Sequence, residues 1–433
     1  MNAISPMVEP YAEMPSYYAH SANQAPTRPM LLGGASADVC IVGGGFTGLS
    51  AALELCKRGY DVIVLEGQRV GWGASGRNGG QLINGFSRPL DYLAGKLGHD
   101  HALSLAAVAL EGSAIIRQRV ADHDIDCDLV DGSAVAALTA KQMRWLETQA
   151  KVWASYGHTG MCLVQDAALQ DIVRSDRYVG GMVDPLGGHF HPLNYVLGEA
   201  AVIESLGGRI FEQSRALRIT DGVRPFIETA EGQVSCNMVL LCGNAYLGDA
   251  CPELSSRIMP VSSQIVTTEP LGALAEKLLP GNVCVEDANY ILDYFRRTAD
   301  GRILFGGGVV YGGGDPASIE ARIQPGLLKT FPELRNVRLD YAWSGSFALT
   351  LSRMPQLGRL SGNVWFSHGD SGHGVTTTQL LGRLLAEGIS GQMARFDVFA
   401  GLPHHPFPGG KAFRVPLTML GSLWYALRDR LGL

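Results

Sequence analysis

The residues best placed to do chemistry are glycines, because of what they let approach the backbone. Gly43, Gly45 and Gly48 stand in the pattern G-x-G-x-x-G, directly after an apolar run from Asp38 to Val42. In such a turn the first glycine permits a tight exit from a strand. The second admits a pyrophosphate, and the third lets the following helix pack closely on the sheet. Phe46 and Thr47 lie within that turn, ahead of a helical run from Leu49 to Arg58. A helix N-terminus offers free N–H groups and a positive dipole end to phosphate. A second apolar run, Val62 to Leu65, ends in Glu66, 23 residues beyond Gly43. A carboxylate there holds a ribose 2′-hydroxyl and repels a 2′-phosphate. The chemistry is dinucleotide binding, which leaves NAD and FAD open.

Two further stretches bear on that choice. After Glu66 and Gly67 comes a loop with glycines every two or three residues and donors between them: Gly73, Ala74, Ser75, Arg77, Asn78, Gly79, Gly80 and Gln81. Such a loop suits a path over a large flat polar ligand, with backbone N–H groups facing phosphate and ring edges. Far along the chain a strand, Val364 to Ser367, leads into Gly369, Gly372, His373 and Gly374, and a helix opens at Val375 and Thr376. Reduction places negative charge on one edge of a flavin, and a helix N-terminus aimed there stabilises it. An NAD enzyme needs one glycine-rich helix start; a retained flavin uses two. The expected cofactor is FAD. The expected contacts also include Ala216, Gly243, Asn244 and Gly345.

The elements that must position these residues are a strand at 38–42, its helix, and parallel strands at 62–65, 239–241 and 364–367. The regions between read differently. Helices are expected over 90–125, including Leu103 to Val120, and over Lys141 to Tyr156 and Leu193 to Leu206. Alternating patterns at Val130 to Leu138, Ser263 to Thr268, Tyr290 to Phe295, Arg302 to Phe305 and Tyr341 to Phe347 predict strands. Ser318 to Phe331 reads as a helix that Pro325-Gly326 should break or kink. His189 and His191 share one face of an extended segment with no third ligand near, so a structural or pocket-lining role is expected, and no metal.

Composition narrows the rest. With 46% hydrophobic and 18% charged residues the chain can bury a sizeable core. A net charge of −6 argues against a nucleic-acid binder. The eight cysteines form no C-x-x-C pair, so reduced core thiols and a cytoplasmic location are expected. No apolar run is long enough to predict a membrane span. The run Val415 to Leu433 could form an amphipathic helix, with packing on the body favoured over a membrane surface. Nothing in the residues assigns an oligomeric state.

On these motifs the chain resembles the D-amino-acid oxidase superfamily of flavoproteins. Within it, the chain is similar to the family of bacterial gamma-glutamylputrescine oxidases. The narrower likeness is carried by Ser16 to Ala19 with Ser21 to Asn23, by Gly306 to Gly312, and by Pro406 to Gly410. Gly73 to Gln81, Gly243 to Asp249, Thr350 to Gln356 and Ser371 to Val375 complete a match that spans nearly the whole chain.

The resemblance implies an α/β fold with a Rossmann-like FAD-binding domain assembled from separated segments, 31–90, 165–250 and 350–400. It also implies an α+β substrate domain with a large mixed or antiparallel sheet, from 91–164 and 251–349. An N-terminal arm, 1–30, and a C-terminal tail, 401–433, would flank them. It implies oxidation of a primary amine of a gamma-glutamylated polyamine to an imine, then hydrolysis to an aldehyde and ammonia, with dioxygen as acceptor and hydrogen peroxide formed. Thr350 to Gln356 and Arg77 offer no Cys or His where some relatives tether the flavin, so non-covalent FAD is expected. The cofactor orients against the amine carbon, and the candidates for that side are His373, Tyr294, Trp343 and Tyr311. Arg296, Arg297 and Arg353 are candidates for a substrate carboxylate. Two other readings stay open: a dehydrogenase of a D-amino acid, sarcosine or pipecolate that feeds a quinone, and a non-catalytic flavoprotein.

Overall fold

The computed structural model describes residues 15–410 and 413–420. The strand Gly33–Val42 lies inside a sheet whose order is Gln356–Arg359, Val364–His368, Gly232–Leu241, Gly33–Val42, Val62–Leu65 and Arg209–Phe211. The last five run parallel, and the Gln356–Arg359 edge is antiparallel. Val39 to Val42 are buried, as a strand covered on both faces requires. The strand starts at Gly33 rather than Asp38, because Gly33 to Ala37 pair with Gly232 to Cys236. Those residues are small and partly exposed, so they carry no apolar pattern.

The helices Phe46–Lys57 and Gly374–Ile389 follow the two glycine turns and cross against each other on one face of this sheet. Gly382 makes that crossing close, since a Cβ there would stand 2.5 Å from the Ser50 Cβ. Arg119, from the helix Glu111–His123, is buried behind them and donates to Glu199 at 2.7 Å and to Glu54 at 3.0 Å. A buried guanidinium is tolerable only when paired in this way.

A second, nine-stranded sheet has the order Leu339–Thr350, Ile258–Thr268, Ile303–Tyr311, Tyr294–Arg297, Cys284–Asp287, Val130–Ala137, Gly180–His189 and Gln81–Leu82, with Cys162–Val164 also on Gly180–His189. One pairing, Cys284–Asp287 with Val130–Ala137, is parallel and the rest antiparallel, so the sheet is mixed. One face packs Phe295, Phe305 and Phe331 with the helix Ile319–Thr330. The other turns toward the first sheet.

Several expectations need correction. Gln81–Leu82 and Gly180–His189 belong to the mixed sheet, so 31–90 and 165–250 each cross from one sheet to the other. The predicted helix Leu103 to Val120 is two helices, His99–Ala109 and Glu111–His123, joined at Leu110. Pro325 does not break its helix. It lies on the exposed side, as does Ala321, whose carbonyl loses its partner there and can turn to water. Ser318 does cap that helix, accepting from the Ala321 N–H at 3.1 Å.

Part of the arm is described. Tyr17–His20 is a short helix capped by Ser16. Tyr17 donates to Asp300 at 2.9 Å, and Tyr18 is buried against Trp343. The expected C-terminal helix falls partly outside the described residues. Residues 413–420 are helical, with Leu417, Met419 and Leu420 exposed. Among the described residues no helix is long and apolar enough to cross a membrane.

Candidate active site

Between the two sheets lies a cavity of about 900 Å³. One wall is built by the parallel sheet. Gly43 has φ +113°, and a Cβ there would press on the Cys242 carbonyl at 2.7 Å. Only glycine fits, which leaves the turn open to a ligand. The Ser75 hydroxyl accepts from the Phe46 N–H at 2.9 Å, satisfying one donor of the helix start. Glu66 lines the cavity and accepts from the Gly44 and Gln68 N–H groups, each at 2.8 Å. Burial raises its pKa. Gly67, Arg215 and Ala216 line the same end.

The loop after Glu66 is held by its own side chains. Asn78 donates to the Ala74 and Ser75 carbonyls at 3.0 and 2.9 Å and accepts from the Gly80 N–H at 2.7 Å. Arg77 lies over Trp72, 4.4 Å from the ring centre, and donates to the Trp72 carbonyl at 2.7 Å. Gly345 lets the strand Leu339–Thr350 abut this loop, as its Cβ would meet that of Arg77 at 2.9 Å.

At the second turn Asp370 does the fixing. It accepts from the Gly372 N–H at 2.9 Å and from the Asn244 amide at 2.7 Å, while Asn244 accepts from the Gly369 N–H at 3.0 Å. The C-terminal ends of two neighbouring parallel strands are thereby tied together. His373 occupies the N-cap position of the helix, without a side-chain capping bond, and lines the cavity. Burial depresses its pKa to about 4, so its imidazole is neutral near pH 7.

The cavity therefore brings together Gly43, Gly45, Phe46, Thr47, Glu66, Gly67, Gly73, Ala74, Ser75, Arg77, Asn78, Gly79, Gln81, Ala216, Gly243, Asn244, Gly345, Gly372, His373, Gly374 and Val375. Four predicted residues stand behind it. A Cβ on Gly48 would fall 2.0 Å from the Gly43 carbonyl, so this glycine serves helix packing. Gly80 has φ +68° and lies against the Phe190 carbonyl. Thr376 is buried and donates to the Ile83 carbonyl at 2.8 Å. Trp343 is buried, and its indole N–H donates to the Arg77 carbonyl at 3.0 Å, so it steadies the loop from behind.

The opposite wall is one face of the mixed sheet. Val135, Ser263, Ile265, Tyr294, Val309, Tyr311 and Phe347 line it. Tyr294 lies against Gly79 and Gly306, where side chains would collide with its ring. Of the three candidate arginines only Arg353 reaches the cavity. It sits over Tyr290 at 4.6 Å and hydrogen-bonds to that hydroxyl. Arg296 is buried on the Gly79 and Phe190 carbonyls, and Arg297 donates to Asn282. His189 and His191 are structural rather than pocket-lining: one bonds the Asn282 carbonyl, the other caps a helix through Asn194.

Lining residues that escaped the sequence reading include Arg88, Asp370, Glu286 and Trp145. Arg88 and Asp370 adjoin the glycine stretches, and their position was the available signal. Glu286, a carboxylate directly after the apolar pair Cys284 and Val285, was a second signal.

The donor set fits FAD: a pyrophosphate cradle open at Gly43 and Gly45, a carboxylate just past the end of the next strand, and a second helix start facing the same cavity. Residues 38–388 match the profile of the FAD dependent oxidoreductase family, DAO. The chain belongs to that family. It is 51% identical to the gamma-glutamylputrescine oxidoreductase of Escherichia coli K12, over 96% of this chain and 98% of that one. It is 40% identical to a probable oxidoreductase, OrdL, of Haemophilus influenzae, over 96% and 97% of the two chains. Among solved structures, glycine oxidase from Geobacillus kaustophilus superposes with a TM-score of 0.71 at 21% identity, covering 84% of this chain and 98% of that one. That likeness shows the fold. As a family member this oxidoreductase is an FAD enzyme.

Proposed function

We propose that this FAD enzyme oxidises the terminal primary amine of gamma-glutamylputrescine, or of a related gamma-glutamylated polyamine. The amine, dioxygen and water give the aminoaldehyde, ammonia and hydrogen peroxide. One observation on the chain itself carries the reading. The substrate wall joins apolar surface from Val135, Leu146, Trp153 and Met182 to two arginines, Arg88 and Arg353, that have no carboxylate partner among the described residues. Apolar surface suits the methylene chain, and the guanidinium groups suit a distant carboxylate. The 51% identity to the Escherichia coli enzyme supports the same substrate.

Bound FAD supplies the hydride acceptor. The turn Gly43 to Thr47 would hold the pyrophosphate, Glu66 the ribose, and the segments 73–81 and 372–375 the ring. Tyr294 and His373 line the cavity where the reacting carbon would sit, and the neutral His373 leaves no imidazolium there to repel the amine. The dry wall favours the uncharged amine that hydride loss requires. The cofactor is held without a covalent bond, since Thr350 to Gln356 and Arg77 supply no Cys or His. We assign the parallel sheet to cofactor binding and the mixed sheet to substrate binding. Eight unpaired cysteines accord with a cytoplasmic site of action.

A substrate panel with peroxide detection tests this. Turnover of gamma-glutamylputrescine with stoichiometric peroxide is expected. Fast turnover of sarcosine, pipecolate or a D-amino acid, with none of gamma-glutamylputrescine, overturns it. Acid precipitation checks the attachment: yellow colour is expected in the supernatant, and colour in the pellet refutes non-covalent FAD.

A further inference from the structure

Five carboxylates line the cavity: Glu66, Asp184, Glu286, Asp287 and Asp370. Four are engaged. Glu66 accepts from backbone N–H groups, and Asp370 accepts from Asn244 and Gly372. Asp184 bonds Asn84 and His158, both at 2.9 Å, and Asp287 pairs with Arg177 at 3.3 Å. Glu286 has no hydrogen-bond or ion-pair partner among the described residues.

Its position follows from strand register. Glu286 stands directly opposite Tyr294 on one neighbouring strand and Val135 on the other, and Val135 stands opposite Met182. Directly paired residues share a sheet face. All four line the cavity. Glu286 is thus a lone carboxylate in an apolar row, one strand away from the tyrosine that covers Gly79. Without a partner its ionised form is costly, and burial, with Asp287 adjoining, pushes its pKa up to about 7. A cation brought into the cavity removes that cost.

We infer that Glu286 receives the ammonium group of the incoming substrate, takes up one of its protons, and holds the resulting neutral amine, the nitrogen to be oxidised, beside Tyr294. This rests on the amine-oxidising reading above and adds a rule of selection. An α-amino acid carries a carboxylate one bond from its reacting carbon and would bring it against Glu286. A substrate whose carboxylate lies many bonds away meets only the carboxylate–ammonium attraction, leaving its own anion to Arg353. The site therefore selects ω-amines over α-amino acids.

The test uses the holoenzyme with Glu286→Gln and Glu286→Asp, each checked for FAD content. For gamma-glutamylputrescine, Glu286→Gln is expected to raise KM by roughly 10- to 100-fold, with a smaller change in kcat, the loss of one charge-assisted hydrogen bond. Glu286→Asp recovers part of it. N-glutarylputrescine, which lacks the α-ammonium, should show the same dependence on Glu286. An unchanged KM in both variants overturns the assignment. So does an effect that vanishes with N-glutarylputrescine, since Glu286 then holds the α-ammonium instead. If the wild-type enzyme oxidises no gamma-glutamylputrescine, the function reading fails separately. Putrescine binding, followed by the flavin absorbance, then decides: weaker binding to Glu286→Gln supports the ammonium site, and equal binding refutes it.

Discussion

Arg296 and Arg353 carry the same group into different surroundings. Arg296 is buried and donates to the Gly79 carbonyl at 2.8 Å and to the Phe190 carbonyl and Tyr18 hydroxyl at 3.0 Å. Arg296→Met leaves those oxygens without a donor and should cost about 2–4 kcal/mol of stability. Arg353 faces the cavity from a strand end, so Arg353→Ala should leave the melting temperature nearly unchanged. It should raise KM for a carboxylated substrate about 10-fold. Thermal melts and steady-state kinetics on both variants check this, and a reversed pattern refutes it. Glu286 gives a second contrast, independent of substrate. Its folded pKa is raised from 4.5 to about 7, so the folded state binds the extra proton between those values. Stability must then fall as pH rises through that window. Glu286→Gln removes the ionised form. The variant should melt above wild type at pH 8, by about 1–2 kcal/mol after solvent screening, and no higher at pH 4.5. A gap that widens toward acid would count against it.

At the scale of elements, what the sequence made legible was local. A glycine turn fixes its geometry within a few residues, so the Gly43 to Gly48 turn, its helix and Glu66 could be read directly. The caps at Ser318 and the limits of Ala140–Ser155 and Pro192–Ser205 followed from short patterns as well. Which glycines face ligand and which face protein was not legible. Gly45 and Gly48 differ by what lies opposite, the Ser75 hydroxyl in one case and the Gly43 carbonyl in the other. A hydroxyl can rotate away, whereas a backbone carbonyl in a central strand turn cannot. Gly48→Ala should therefore disrupt the helix seat outright, seen as loss of bound FAD and of soluble protein. Gly45→Ala should fold and lose FAD affinity alone. Equal folding of the two variants, judged by circular dichroism, would refute the distinction. Trp343 misled for a related reason: strand alternation gives its face, but only the third dimension shows the loop that covers it.

At the scale of the molecule, sheet order and cavity content come from contacts distant in sequence, which no local pattern encodes. Glu286 reaches the cavity only because Cys284–Asp287 pairs with Val130–Ala137, a strand from a different part of the chain. The same long-range packing buries several histidines. Burial depresses His189, His191 and His368 to about 3, and His373 to about 4. The unfolded chain binds those protons from 6.5 downward, so stability should fall as pH drops from 6.5 toward 4. Glu286 and Asp287, raised to about 7, and Glu66, Glu199 and Asp370, also raised by burial, oppose this as pH falls. The histidine contribution is therefore read by difference: the stability gap between wild type and His368→Gln should narrow as pH falls from 6.5 toward 4, as thermal melts check.

The cofactor adds a stabilising term that depends on both sheets. The cavity takes one wall from the parallel sheet and the other from the mixed sheet. The direct ties between them include the Trp343 bond to Arg77 and the Gly345 approach to the same residue. A ligand that touches both walls stabilises their association as well as each sheet. FAD at 100 times its Kd should then raise stability by about 2.7 kcal/mol, with about 1.4 more for each further tenfold. The holoenzyme should unfold in one transition that moves with FAD concentration, the mixed-sheet signal shifting in step with the parallel-sheet signal. Tryptophans report on each side, Trp343 and Trp145 from the mixed-sheet side and Trp365 from the parallel sheet. Single-tryptophan variants, melted with and without FAD, separate the signals. A shift confined to Trp365 would mean that FAD stabilises the parallel sheet alone, and the shared-cavity account of cofactor stabilisation would fail.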